Sequence, residues 1–370
     1  MTRRDKKTLR AGFTTGTAAA AAAKAAMHAL LRCTPPGEVE VLLLNGETWR
    51  IPVARCAVEG GATASCVVVK DAGDDPDVTH RAEIGARVTL LDEAAEPGVE
   101  IIGGQGVGRV TKPGLEVPPG EPAINPGPRK MITDSIREVL GSVGQNRRIR
   151  VEVFAPRGEE LAKNTLNARL GILGGISILG TTGVVKPLSH DAYIATIRSS
   201  LSVARAAGLS TVVMTTGRRS EKHAQREFAD LPEEAFIQIG DHFAESMGQA
   251  ATDGFARVIL AVFFGKAVKM AYGVPHTHAG KSRLVLDRLA GWAGEADCGG
   301  DVASAIEASN TAREAFTHVS GACPALLASV CERAVQAARG FAGPGPNVRM
   351  VLFDFDGNLA HDTQATEVAT

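Results

Sequence analysis

Hydrophobic and polar positions follow two rhythms along this chain. Over residues 39–110 short apolar runs are broken by turn residues. Val39-Glu40-Val41-Leu42-Leu43-Leu44 and Trp49-Arg50-Ile51-Pro52-Val53 flank Asn45-Gly46 and predict a hairpin. Cys66-Val67-Val68-Val69 and Arg87-Val88-Thr89-Leu90-Leu91 predict further strands by their β-branched content. Helices are expected at 17–32 and from about 129 to 140. Residues 1–145 therefore read as an α+β domain.

Residues 141–148 carry Gly, Ser, Gln and Asn and are taken as the domain junction. Beyond them, apolar runs alternate with amphipathic stretches. Strands are predicted at 149–154, 211–214, 236–239, 258–264 and 348–353. Helices are predicted at 191–207, 220–228, 242–252, from 266, and at 323–338. Such alternation implies a mainly parallel sheet covered on both faces. The expected architecture is an α+β domain over 1–145, an α/β Rossmann-like domain over 146–358, and a flexible tail over 359–370.

Lys and Arg number 40 against 41 Asp and Glu. That balance argues against a general nucleic-acid binder, and 4% aromatic residues leave little for base stacking. No apolar run is long enough to span a bilayer, and the basic start is not followed by a signal-peptide core. The six cysteines have no C-x-x-C spacing and are expected to be reduced thiols of a cytoplasmic protein.

Gly12-Phe13-Thr14-Thr15-Gly16-Thr17 runs straight into Ala18 to Ala23. The threonines can cap the helix or bind a ligand at its positive end. The alanines admit close approach by a sheet or by a large flat ligand. After the predicted parallel strands come Thr215-Thr216-Gly217-Arg218, Gly240-Asp241 and Gly265-Lys266, with Lys269 one turn on. Ligands of open parallel sheets bind beyond such carboxyl ends. Gly171 to Gly183 is glycine-rich without the dinucleotide fingerprint, and suits S-adenosylmethionine or a tightly packed corner. Gly103 to Gly108 is expected to be a flexible loop presenting Arg109 and Lys112. With Arg129, these cations suit a ligand bearing several carboxylates, or are solvated surface charge. His276-Thr277-His278 makes an incomplete metal site, and none is expected. Asp354-Phe355-Asp356-Gly357-Asn358 mimics a phosphatase motif, but too little chain follows it, so it is read as the turn ending a last strand.

Together these segments, with Glu121-Pro122-Ala123-Ile124-Asn125-Pro126-Gly127-Pro128-Arg129, resemble the cobalt-precorrin-5B C1-methyltransferase family, CbiD, from about residue 9 to 358. One departure is Ala18, where a cysteine or serine is common, so no thiol is required there. The resemblance implies methyl transfer from S-adenosylmethionine to C1 of cobalt-precorrin-5B, giving cobalt-precorrin-6A in the anaerobic cobalamin pathway. The cobalt belongs to the substrate, a flat macrocycle fringed with carboxylates. It implies substrate contacts from Thr14, Thr15, Gly16, Thr17, Arg109, Lys112, Asn125, Arg129 and Lys266. Donor contacts are expected from Gly174, Gly175, Gly180, Thr181, Thr182, Gly183, Thr216, Gly217, Arg218 and Asp241. His278 is the candidate base, because imidazole exchanges protons near neutral pH. The N-terminal domain is expected to bind substrate and the second domain the donor. A non-catalytic tetrapyrrole carrier is the alternative. Self-association and transient contacts with neighbouring pathway enzymes are left open; nucleic acid and membrane are not expected as partners.

Overall fold

A computed structural model describes residues 9–32, 34–91, 97–141, 147–278 and 282–364. Its first elements are β1 (Gly12–Phe13) and α1 (Thr15–Arg32). Small side chains all round α1 let it pack on every side, and Ala18 to Ala23 have no exposure. They meet the surrounding sheet and a second helix, not a ligand, which decides between the two readings of the alanine run.

The elements that follow are β2 (Glu38–Leu42), β3 (Thr48–Pro52), β4 (Arg55–Glu59), β5 (Thr63–Val69), β6 (Glu83–Leu90), β7 (Gly98–Gly103) and β8 (Arg109–Val110). Then come α2 (Pro126–Leu140), β9 (Arg148–Phe154), α3 (Gly158–Ala162), β10 (Ile172–Leu173) and β11 (Val184–Val185). The hairpin at Asn45-Gly46 joins β2 to β3, with Gly46 at φ +87°. The main sheet has the order β4-β5-β6-β9-β7.

The sequence placed residues 149–154 in the second domain. Instead β9 lies antiparallel to β6 and parallel to β7, inside the first sheet. The compact units divide at His190/Asp191, not at 141–148; of that expected junction, residues 142–146 lie outside the described residues. The Gly103–Gly108 segment is also not the flexible loop expected. A Cβ on Gly106 would overlap the Ala155 carbonyl, and one on Gly158 or Gly175 would overlap the Gly106 carbonyl. Three backbones cross where only glycine allows it.

The second unit contains α4 (His190–Ala206), β12 (Thr211–Thr215), α5 (Arg218–Glu227), β13 (Phe236–Gln238), α6 (Phe243–Thr252), β14 (Arg257–Phe263) and α7 (Phe264–Ala271). It continues with α8 (Ser282–Glu295), α9 (Gly300–Ala308), α10 (Ala312–Val319), α11 (Pro324–Ala342), β15 (Asn347–Phe353) and β16 (Leu359–Asp362). The sheet order is β13-β12-β14-β15-β16, parallel except for β16. Both faces are covered: Met214, Leu260 and Leu352 join one core, Val213, Ile259 and Val351 another.

Residues 359–362 are thus a strand and not tail; Arg349 donates to both oxygens of Asp362, at 2.9 and 2.5 Å, across the β15–β16 pair. Residues 365–370 of the expected tail lie outside the described residues. The cysteine expectation is likewise corrected. Strand register sets Cys56 opposite Cys66, and the two are disulfide-bonded, as are Cys298 and Cys323. Sequence spacing carries no sign of partners chosen by strand register. No helix among the described residues is long and apolar enough to cross a membrane.

Candidate active site

The parallel strands of the second unit end together. Chain order reverses at β12, which has β13 on one side and β14 on the other. A crevice beyond the carboxyl ends is expected at such a reversal. There the turn after β12 presents Thr216 and Gly217, and Gly217 caps α5 with no side-chain hydrogen bond. The turn after β13 presents Gly240 and Asp241. Gly240 has φ +56°, and the Tyr193 ring lies where its side chain would be. The start of α7 presents Lys266.

Asp241, Lys266 and Thr277 form a closed triangle. Lys266 Nζ is ion-paired with Asp241 and lies 3.2 Å from Thr277 Oγ1. Thr277 Oγ1 donates to Asp241 Oδ1 at 3.1 Å. Thr277 is fully buried, whereas a third of the Asp241 side chain is exposed. Lys269 Nζ donates to the Thr277 and His278 carbonyls at 3.2 and 3.3 Å. Burial pulls the Asp241 carboxyl up, but Lys266 and Thr277 outweigh it and hold it below its ordinary value. Burial, reinforced by the charge of Lys266, lowers the Lys269 ammonium. Burial raises the Tyr193 hydroxyl, with Asp241 and Glu221 adding to it. Two ammonium groups around one carboxylate favour an anionic ligand group, and Asp241 offers an acceptor for hydroxyl or ammonium donors.

The remaining expected site residues lie in the first unit. Arg109 is exposed, donates to the Gly120 carbonyl and sits opposite exposed Leu173 in the β8–β10 pair. Lys112 packs its methylenes over Gly171. Asn125 Nδ2 donates to Glu116 at 2.8 Å. Arg129 Nε donates to the Ile124 carbonyl at 2.9 Å, and Glu121 lies 3.7 Å from its guanidinium. Gly174, Thr181 and Thr182 are exposed, as is Leu179. Exposed Leu173 therefore lies beside the Arg109 cation.

Two sequence assignments change. Thr14, Thr15 and Thr17 are buried and their hydroxyls are engaged within the fold. Thr14 Oγ1 accepts from the Thr17 amide at 3.2 Å, Thr17 Oγ1 donates to the Gly183 carbonyl at 2.8 Å, and Thr15 Oγ1 accepts from the Leu179 amide at 2.9 Å. Gly16 packs on Pro128. This turn holds the glycine-rich segment in place and does not offer its hydroxyls to a carboxylate. Second, Gly174, Gly175, Gly180, Thr181, Thr182 and Gly183 belong to the first unit, with Arg109 and Asn125, while Thr216, Gly217, Arg218 and Asp241 belong to the second. Lys266, expected on the substrate, is ion-paired with Asp241, expected on the donor. Sequence reasoning gave Thr277 and Tyr193 no role. A threonine flanked by histidines drew notice only for the histidines.

Family models match twice: CbiD over residues 2–187, and the CbiD C-terminal domain over residues 276–364. A protein of Nitratidesulfovibrio vulgaris named cobalt-precorrin-5B C(1)-methyltransferase is 46% identical over 96% of this chain and 92% of its own length. One of the same name from Geobacillus kaustophilus is 44% identical over 95% and 94%. A crystal structure of a cobalamin biosynthesis protein (cbiD) from Archaeoglobus fulgidus is 28% identical, covers 70% of this chain and 78% of that one, and superposes with a TM-score of 0.39. With both family models matched in chain order and near-full-length relatives on either side of 45% identity, the chain belongs to the CbiD family.

Proposed function

We propose that this chain is an S-adenosylmethionine-dependent methyltransferase that methylates C1 of cobalt-precorrin-5B to give cobalt-precorrin-6A. The observation that carries this reading is 46% identity over nearly the full length to a protein of that name. The second unit, read as a Rossmann-like domain, takes the donor. Thr216, Gly217, Arg218, Asp241 and Lys266 are its holders, and their donor set fits. A carboxylate suits ribose hydroxyls or the methionine ammonium, and Lys266 suits the methionine carboxylate. Bound there, S-adenosylmethionine would supply an electrophilic methyl group.

The first unit takes the macrocycle. Arg109, Lys112, Asn125 and Arg129 meet its carboxylates, while Leu173, Gly174, Leu179, Gly180, Thr181 and Thr182 meet its ring face. Cobalt enters as part of the substrate. Methyl transfer to carbon is largely a matter of alignment and water exclusion, so the chain needs no strong nucleophile. His278 is assigned the proton from the macrocycle. Incubation with cobalt-precorrin-5B and methyl-labelled S-adenosylmethionine tests the reading. Label at C1 supports it; turnover without label at C1, or none with a verified substrate, overturns it.

A further inference from the structure

We propose that His242, Glu245 and His276 bind one divalent transition-metal ion of the kind imidazole and carboxylate favour, such as Zn²⁺ or Co²⁺. All three belong to the second unit, and the site stands independently of methyl transfer. His242 caps α6 and Glu245 lies in its first turn, three residues on, so they share one side of the helix start. His276 lies across from His242 in an antiparallel bridge. The Ala244 amide donates to the Pro275 carbonyl at 3.1 Å and the Thr277 amide to the Asp241 carbonyl at 3.0 Å. Backbone bonds on either side thus fix His276 against α6.

The side chains converge from these anchors. Glu245 Oε1 is 3.2 Å from His276 Nε2. The His242 and His276 rings stand edge to face, with centroids 5.5 Å apart, and each places a nitrogen within 4.8 Å of the other. Tyr193 stacks on His242 at 5.0 Å and fixes that ring. Glu245 Oε2 is buried and has no hydrogen-bond partner among the described residues. A carboxylate oxygen removed from water without a partner is costly, and a bound cation would relieve that cost. Ligand bonds of about 2.0–2.1 Å at a tetrahedral ion put neighbouring ligand atoms roughly 3.3 Å apart. The Glu245–His276 separation already meets that value, and a nitrogen of His242 lies within 4.8 Å of one of His276. Three ligands leave a fourth position for water or another group.

The full-length chain, stripped by chelator, is titrated with Co²⁺ alone. The expected result is one equivalent bound, with the visible bands of low-coordinate Co²⁺, displaced by Zn²⁺. Glu245→Gln and His276→Ala are each expected to weaken binding about tenfold or more, whereas His318→Ala on α10 leaves it unchanged. Melting temperatures confirm that the variants are folded, and Glu245→Gln keeps the shape of the native side chain. Absence of a stoichiometric site in the parent, or parental affinity in either of the first two variants, overturns the proposal.

Discussion

The Thr277 hydroxyl donates to Asp241 across 36 residues of sequence, at 3.1 Å, and so fixes the carboxylate that also pairs with Lys266. If this carboxylate holds the donor, Asp241→Ala weakens S-adenosylmethionine binding about tenfold or more, the loss of a charged hydrogen-bonding partner worth roughly 1.5–3 kcal/mol. Titration calorimetry reads it directly. An unchanged dissociation constant would remove Asp241 from the donor site.

The exposed leucines of the first unit make a separable prediction. Leu173→Asp or Leu179→Asp puts a carboxylate where an apolar ring face and acidic fringe are expected to lie. KM for the macrocycle should rise several-fold while donor affinity stays at the parental value. Equal losses for both ligands would contradict the division of roles between the units.

The packed alanine helix gives a stability test. Ala22 has no exposure, so Ala22→Leu forces three extra carbons into a filled space. Overpacking of this kind costs about 1–3 kcal/mol. Thermal unfolding at neutral pH should show a lower melting temperature, and an unchanged one would mean that α1 has room beside it.

Arg10 grips Asp71 with two hydrogen bonds, at 2.5 and 2.9 Å, and this partner holds the Asp71 carboxyl down at about 2. An unfolded aspartate titrates near ~3.9. The folded-state pKa is the lower one, so the contribution is complete above about pH 4 and is lost as the pH falls through 2. The melting temperature of the parent should exceed that of Asp71→Asn at pH 5, and the gap should close toward pH 2. A gap independent of pH would assign the difference to packing.

Much of the second unit could be read from the sequence because its parallel strands are buried on both faces. Val258 to Phe263 is a continuous apolar run for that reason, and Val348 to Phe353 is one apart from Arg349, which reaches Asp362. At Ile149 to Phe154 apolar residues alternate with Arg150 and Glu152, and that alternation marks a strand without saying which sheet it joins; β9 has one antiparallel and one parallel neighbour in the first sheet. The two-residue strands β8, β10 and β11 have no periodicity to detect, so the glycine-rich segment could not be assigned to the first unit from sequence. The triangle at Asp241 was half visible. Glycine and charge after a strand point to a crevice, but a buried threonine reached through a later loop leaves no local mark.

The strand β16, which follows the turn at Asp354, has a further consequence. At four residues it is one border of the second sheet, and the three-residue β13 is the other. Short borders offer few unpaired amide and carbonyl groups for another chain to pair with. Removing residues 359–370 would expose the seven-residue β15, rich in valine and leucine, along its outer edge. Such a shortened chain should not only melt earlier but also self-associate through that edge, so the last described residues of the chain serve as a guard against edge-to-edge aggregation.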